Sequence, residues 1–149
     1  MKIYLDTSVY NRPYDDQAPP RIWMEAVVFS MILQLVETEK VELVTSSIIA
    51  FENSKNPFPQ RRKWVDSCLK LSKHTLVLNA AIRKRGRELE KQGIKPLDAL
   101  HLSCAESRKI DYFLTCDDRV VKRYEGKAMA VCNPVEFMLI VTEEENQWT

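Results

Sequence analysis

The chain has 149 residues, 45% of them hydrophobic, which suffices to bury the core of a single domain. Its 22 Lys and Arg stand against 21 Asp and Glu, a net charge of +1 that excludes nucleic-acid binding through bulk positive charge but permits a local basic patch. No apolar run approaches the roughly 18 to 20 residues of a membrane span. The opening MKIYLD lacks the basic segment and apolar core of a signal peptide, and the four scattered cysteines (Cys68, Cys104, Cys116, Cys132) form no CxxC pair. They read as small buried hydrophobes in a reducing compartment, so cytoplasm is the expected setting.

Lys2 to Leu5 reads as a short strand that stops at Asp6. Asn11 to Pro20, with three prolines and an Asp pair, reads as a loop. From Arg21 to about Glu39, Ile22, Ala26, Phe29, Leu33 and Val36 recur at helical spacing, with Trp23, Val27 and Leu35 widening the apolar face. Trp23 and Phe29 are expected in the core, and exposed members of this helix offer a homodimer face. Val41 to Val44 is a second strand, after which Thr45-Ser46-Ser47 supplies capping chemistry for a helix through Ile48, Ile49, Phe51 and Glu52. Pro57 and Pro59 break that helix, and a further one carries Trp64, Cys68 and Leu71 on one face.

His74 is expected in a loop and Thr75 to Leu78 in a short strand or extended connector. Asn79 caps a charged helix over Ala80 to Gln92, and Gly93 ends it. Pro96 suits the first position of the next helix, Leu97 to Lys109. Tyr112 to Leu114 is a strand leading into Thr115-Cys116-Asp117-Asp118 and a short helix to Tyr124. Ala128 to Val131 is the last strand, Asn133-Pro134 caps a terminal helix, and the acidic tail from Glu143 is expected to fray. Strands alternating with helices predict a parallel sheet covered on both faces, in one domain over residues 1–142 followed by a tail at 143–149.

Four carboxylates stand where strands end or helices begin: Asp6, Glu52, Asp98 and Asp117. Each has an ordinary reading. Asp6 and Asp117 suit helix caps, Glu52 a helix edge, and Asp98 the favourable first turn of a helix. Jointly they converge on the rim where open parallel sheets bind ligands, and acids crowded there resist ionising unless a cation lies between them. Oxygen donors of this kind suit Mg²⁺ or Mn²⁺, hard ions that polarise a phosphodiester and lower the pKa of an attacking water.

The motifs around these acids resemble the PIN domain, the ribonuclease fold of VapC-type toxins. The matching pieces are IYLDTSVY, SSIIAFEN, GIKPLDALHLSCA, YFLTCDDRV and CNPVEFM, in the family's order and over nearly the whole chain. The resemblance implies a three-layer α/β/α sandwich, Rossmann-like, with a central mostly parallel sheet. It makes Asp6, Glu52, Asp98 and Asp117 the acidic metal site, with Glu52 bound directly or through water. It further implies Mg²⁺- or Mn²⁺-dependent cleavage of single-stranded RNA to 5′-phosphate and 3′-hydroxyl products, and a small antitoxin that blocks the cleft. Asp118 competes with Asp117 as a ligand, because the two are adjacent after Thr115. The loop NRPYDDQAPP and the continuation SKNPFPQ depart from the usual toxin pattern.

Thr7, Ser8 and Thr115 are candidates for orienting the carboxylates and their water. Asn11, Arg12 and Arg119 are candidates for contact with substrate phosphate, Arg12 being equally readable as a solvated charge. The runs Arg61-Arg62-Lys63 and Arg83-Lys84-Arg85 offer phosphate contacts, although helical charge runs are more often solvated faces, as an Arg85–Glu88 pairing would make them. His101, one turn after Asp98, reads more readily as a hydrogen-bonded core histidine than as a general base. The carboxylates alone leave open a nuclease acting on DNA, or a non-catalytic RNA- or partner-binding module.

Overall fold

A computed structural model describes residues 1–147. Five strands form one parallel sheet: β1 (Lys2–Leu5), β2 (Glu42–Ser46), β3 (His74–Leu76), β4 (Tyr112–Leu114) and β5 (Ala130–Cys132). The spatial order is β3-β2-β1-β4-β5, with Ile3 opposite Leu43 on one side and Tyr112 on the other. The central strand is short, and beyond Lys2 it is covered on both faces: Ile3, Tyr4 and Leu5 are buried.

Between the strands lie α1 (Thr7–Asn11), a 3₁₀ turn (Arg12–Tyr14), α2 (Pro20–Glu37), α3 (Ser47–Ser54), α4 (Pro59–Leu69), α5 (Ala80–Glu90), α6 (Pro96–Ser107) and α7 (Asp118–Arg123), and α8 (Pro134–Gln147) follows the last strand. The chain steps from β1 through β2 to β3 and then back across to β4 and β5, so the right-handed rule for parallel crossovers puts α1 to α4 on one face and α5 to α7 on the other. From β5 the chain returns to pack α8 against α2. The result is a three-layer α/β/α sandwich, as the motifs imply. Where α5 meets α6, the backbones come close at Gly86, since a Cβ there would sit 3.1 Å from the Leu100 side chain. Strand order reverses at β1, whose neighbours β2 and β4 lead to helices on opposite faces. The crevice above β1 and β4 is therefore the switch point at which such sheets bind ligands.

Most caps form as the sequence predicts. Ser46 caps α3 by accepting from Ile49 N, Asn79 caps α5 through Ile82 N, and Asn133 accepts from Val135 N at the start of α8. Pro96 opens α6, and Gly93 takes a positive φ of 86° behind α5.

Several expectations are corrected. The predicted loop at Asn11 contains the end of α1 and a 3₁₀ turn, elements too short to show a hydrophobic period. Pro57 lies after α3 has ended, and Pro59 opens α4 at its first turn instead of breaking a helix. Leu71 lies beyond α4, and His74 belongs to β3, where its Nε2 lies 3.1 Å from a Glu42 carboxylate oxygen. Trp23 is 56% exposed and Val27 is exposed, because the sheet covers a narrower stripe of α2 than its apolar periodicity suggests; Phe29 is buried as expected. The last helix runs over Pro134–Gln147, and Trp148 and Thr149 of the expected tail lie outside the described residues.

Candidate functional site

Asp6 leaves β1 at its C-terminal end and turns the chain into α1. Its backbone N–H donates to Leu114 O at 3.0 Å, so the residue is pinned across the switch point to β4. The side chain is buried, 5% exposed, and fully engaged. Oδ1 accepts from Ser8 N at 2.6 Å and from the Ser8 hydroxyl, while Oδ2 accepts from Thr115 Oγ1 at 2.5 Å. The cap reading of Asp6 is thus correct and compatible with a site reading. Burial pushes its carboxyl above the ordinary range, opposed by the Ser8 and Thr115 hydroxyls. Thr115 also accepts from Asp117 N at 3.1 Å, and the Ser8 hydroxyl accepts from Cys116 N at 3.1 Å. Two strand ends are laced together by hydroxyls around one carboxylate.

Asp98 lies in the first turn of α6 and is half-buried. Burial raises its pKa first, then the negative charge of Asp6, with Asp117 and Glu52 adding to the same effect against the opposing influence of His101. Asp6, Asp117 and Glu52 therefore each lie within electrostatic reach of Asp98. They do not close into a finished ligand set: among the described residues, no three His, Cys, Asp or Glu side chains stand close enough to hold an ion as placed. Electrostatic coupling extends further than a coordination bond, so the two observations are compatible.

Glu52 is held rather than free. His101 Nε2 hydrogen-bonds its carboxylate, and His101 Nδ1 lies 2.6 Å from the Tyr4 hydroxyl, which in turn lies 2.6 Å from Ser46 Oγ. His101 is 2% exposed, the hydrogen-bonded core histidine expected, and it reaches from α6 to α3 to orient an acid. A consistent proton order runs Ser46 to Tyr4 to His101 to Glu52, each donating to the next. Tyr4 and Ser46 lie within the quoted IYLDTSVY and SSIIAFEN pieces, but a strand tyrosine and a capping serine each have an ordinary use, so neither stands out as part of this chain of bonds.

Asp117 caps α7, accepting from Arg119 N at 2.9 Å and from its guanidinium at 3.2 and 3.3 Å. Burial alone would raise its pKa, but these Arg119 bonds outweigh it and hold the carboxyl below its usual range. A small cavity between α6 and α7 is lined by Asp98, Asp117, Lys95, Arg119 and Arg123, so Arg119 does lie at the acidic rim. Asp118 behaves differently. It receives both Arg21 Nη groups at 2.7 Å and is drawn to α2.

Arg12 is spent on structure: it reaches Glu25 at 3.0 Å and Asp15 at 3.1 Å. Asn11 bonds Thr7 O and receives Asn56 Nδ2, which makes it a spacer between α1 and the connection from α3 to α4. The carboxylate missed in the sequence is Glu25, fully buried at 0% exposure, which accepts from Arg12, Arg21 and Asn133. Its only local signal is the Arg21–Glu25 spacing of one helical turn. The four cysteines are buried and free, and burial pushes Cys104 to about 11 and Cys68 and Cys132 to about 12, so they serve as packing.

A model of the PIN domain matches residues 3–127. The chain belongs to the PIN domain family. No match to a curated protein reaches significance. Among solved structures, a chain of VapBC2 from Rickettsia felis, bound to a promoter DNA fragment, is 19% identical with a TM-score of 0.59, covering 89% of this chain and 98% of that one. A chain of DNA-bound VapBC from Salmonella typhimurium is 17% identical with a TM-score of 0.55, covering 88% and 98%. PAE2754 from Pyrobaculum aerophilum is 16% identical with a TM-score of 0.57, covering 94% and 88%. At these identities the likeness is one of fold.

Proposed function

We propose that this PIN domain is a Mg²⁺- or Mn²⁺-dependent endoribonuclease, acting as the toxin of a toxin–antitoxin pair. The observation that carries the reading is Asp98, a carboxylate whose charge is opposed by Asp6, Asp117 and Glu52 at the switch point of the sheet. Family membership supports nuclease chemistry, because PIN domains are generally nucleases.

The donor set fits a hard divalent cation in type and charge: four carboxylates offer oxygen, and the buried Thr7 Oγ1 beside Asp6 lacks any protein partner. Asp6, Asp98 and Asp117 would hold the ion, with Glu52 acting through water. When bound, it supplies Lewis acidity toward a phosphoryl oxygen and makes a neighbouring water more acidic. The protein's own work is orientation. Ser8 and Thr115 fix the Asp6 carboxylate, and His101 holds Glu52 through one carboxylate oxygen, leaving the other to accept a water proton. Arg119, one helical step from Asp117, meets the phosphate that approaches the rim.

Asp98→Asn should lose Mn²⁺-dependent RNA cleavage while keeping its fold. Cleavage by that variant at the wild-type rate sinks the mechanism. For the toxin reading, wild-type expression should arrest bacterial growth, Asp98→Asn should not, and a small protein encoded beside this chain should relieve the arrest. Exposed Trp23, Met24, Val27 and Met31 on α2 favour a homodimer through that helix. No helix among the described residues is long and apolar enough to cross a membrane.

A further inference from the structure

Beside the acidic rim lies an open groove of about 450 Å³, with Thr7 on one wall, Lys55, Asn56, Phe58 and Arg61 on the other, and Glu52 at the end nearest the carboxylates. Its outer wall is the SKNPFPQ segment that departs from the usual toxin pattern. Phe58 is 61% exposed, an unusual position for so large an apolar ring. It is also held rigidly. Pro59 keeps Phe58 extended, at φ −98° and ψ 108°, while Phe58 N donates to Asn56 Oδ1 at 3.1 Å and Arg62 Nη1 donates to Asn56 O at 2.7 Å. A residue whose backbone is held in this way loses little further backbone entropy when something stacks on its ring.

Cations accompany the rings. Arg61 Cζ lies 5.5 Å from the Phe58 ring centroid and 5.8 Å from that of Tyr14, and Lys55 Nζ lies 5.4 Å from that of Phe51. From Asn53 to Val65 the chain carries Lys55, Arg61, Arg62 and Lys63 and no acid. Asp15, also on the groove, is spoken for by Arg12 at 3.1 Å and Arg61 at 3.5 Å.

We propose that this groove binds single-stranded RNA flanking the scissile bond, one unstacked base lying on Phe58 and a backbone phosphate meeting Lys55, while Arg61, held by Tyr14 O at 2.7 Å and Asp15 at 3.5 Å, stays beside the ring. The proposal rests on the nuclease reading and gives it a substrate track. Flat rings, each beside a cation, suit a strand whose bases present π-faces and whose backbone is anionic. The track leads past Glu52, so a strand seated there delivers its next phosphodiester to the carboxylates.

The test is fluorescence anisotropy with a 5′-labelled ten-nucleotide RNA of mixed sequence, in EDTA so that nothing is cut. Phe58→Ala should weaken binding about 10-fold, the worth of one base stacked on an aromatic ring. Phe58→Trp should restore it, and Lys55→Ala should cause a smaller loss that is steepest at low salt. A duplex of the same sequence, which offers no unstacked base, should bind wild type and Phe58→Ala alike. Equal single-strand affinity for wild type and Phe58→Ala overturns the proposal, as does wild type that binds no single strand. If Phe58→Ala keeps RNA affinity and instead lowers the solution mass by light scattering, the face joins copies of this chain and the track is wrong. Because no cleavage is read, these outcomes are separate from those that decide the nuclease reading.

Discussion

Two groups of acids flank the same end of the sheet and are treated in opposite ways. Glu25 is the more deeply buried, yet it receives Arg12 Nε at 3.0 Å, Asn133 Nδ2 at 2.5 Å and Arg21 Nε at 3.5 Å, and Arg21 continues to Asp118. Asp98, only half-buried, faces the charges of Asp6, Asp117 and Glu52. Burial of a carboxylate is therefore a poor sign of function in this fold. The sign is whether the protein supplies the counter-charge itself. Around Glu25 it does, and the cluster ties α2 to the 3₁₀ turn and to the start of α8. At the rim Asp117 has Arg119 and Glu52 has His101, but Asp6 is held by hydroxyls and a backbone N–H, and no salt bridge reaches Asp6 or Asp98 among the described residues.

The largest expected effect falls on the compensated group. Glu25→Ala removes the buried partner of Arg12, which keeps Asp15, and leaves Asn133 Nδ2 without its acceptor; breaking such a buried pair costs about 3 kcal/mol of stability. Urea unfolding should show that loss, and Glu25→Gln, which keeps acceptor and shape, should lose less. A Glu25→Ala protein as stable as wild type would mean that the cluster is ornamental and the contrast false. Next in size is Thr115→Val, which removes the hydroxyl holding Asp6 Oδ2. It should lower metal affinity or RNA cleavage about 10- to 100-fold, the usual effect of losing a group that orients a ligand. Full activity in Thr115→Val would show that Asp6 needs no help across the switch point.

The rim should also appear in the pH dependence of stability. Asp6 and Asp98 have pKa values raised above an ordinary 3.8, Asp6 by burial and Asp98 by burial and neighbouring charge. Below 3.8 the groups are protonated in both states and favour the fold. As pH rises through the folded values, the unfolded chain sheds its protons more readily, and that stability is lost. Asp117, held down by Arg119, contributes with the opposite sign. Asp98→Asn should therefore melt higher than wild type near neutral pH, with the difference vanishing toward pH 3. Mn²⁺ at ten times its Kd should add about 1.4 kcal/mol to wild type. An equal gain in Asp98→Asn would move the metal elsewhere.

The sequence was most legible where chemistry is local. Asp6, Asn79, Pro96 and Gly93 sit at turns and caps whose requirements are met within a few residues. Short apolar strands alternating with helices gave the parallel sheet, while its order β3-β2-β1-β4-β5 appears only in the structure. What stayed hidden depends on distant partners. Asn133 reaches Glu25 across 108 residues, and His101 reaches Glu52 across 49. Neither pairing leaves a periodic trace. Arg12 likewise looked available for phosphate until Glu25 and Asp15 were found beneath it. Trp23 failed for another reason: periodicity marks an apolar face, not how much of that face a neighbour covers.

Asp117 and Asp118 bring the comparison down to adjacent residues, and the smallest effect expected is at Asp118. Both follow the same strand and both bind an arginine, so local sequence treats them alike. Their arginines differ. Arg119 belongs to the same helix as Asp117 and leaves that carboxylate on the cavity it shares with Asp98, whereas Arg21 pulls Asp118 toward α2 and the compensated cluster. Asp118→Asn should then cleave RNA at the wild-type rate with the same Mn²⁺ dependence, while Asp117→Asn loses activity. The exposed Arg21 pair adds little to stability, because water already solvates both groups. A large loss of cleavage in Asp118→Asn, with Asp117→Asn unaffected, would assign the ligand to the wrong side of the α7 cap. It would also require Arg21 to release Asp118 when the ion binds.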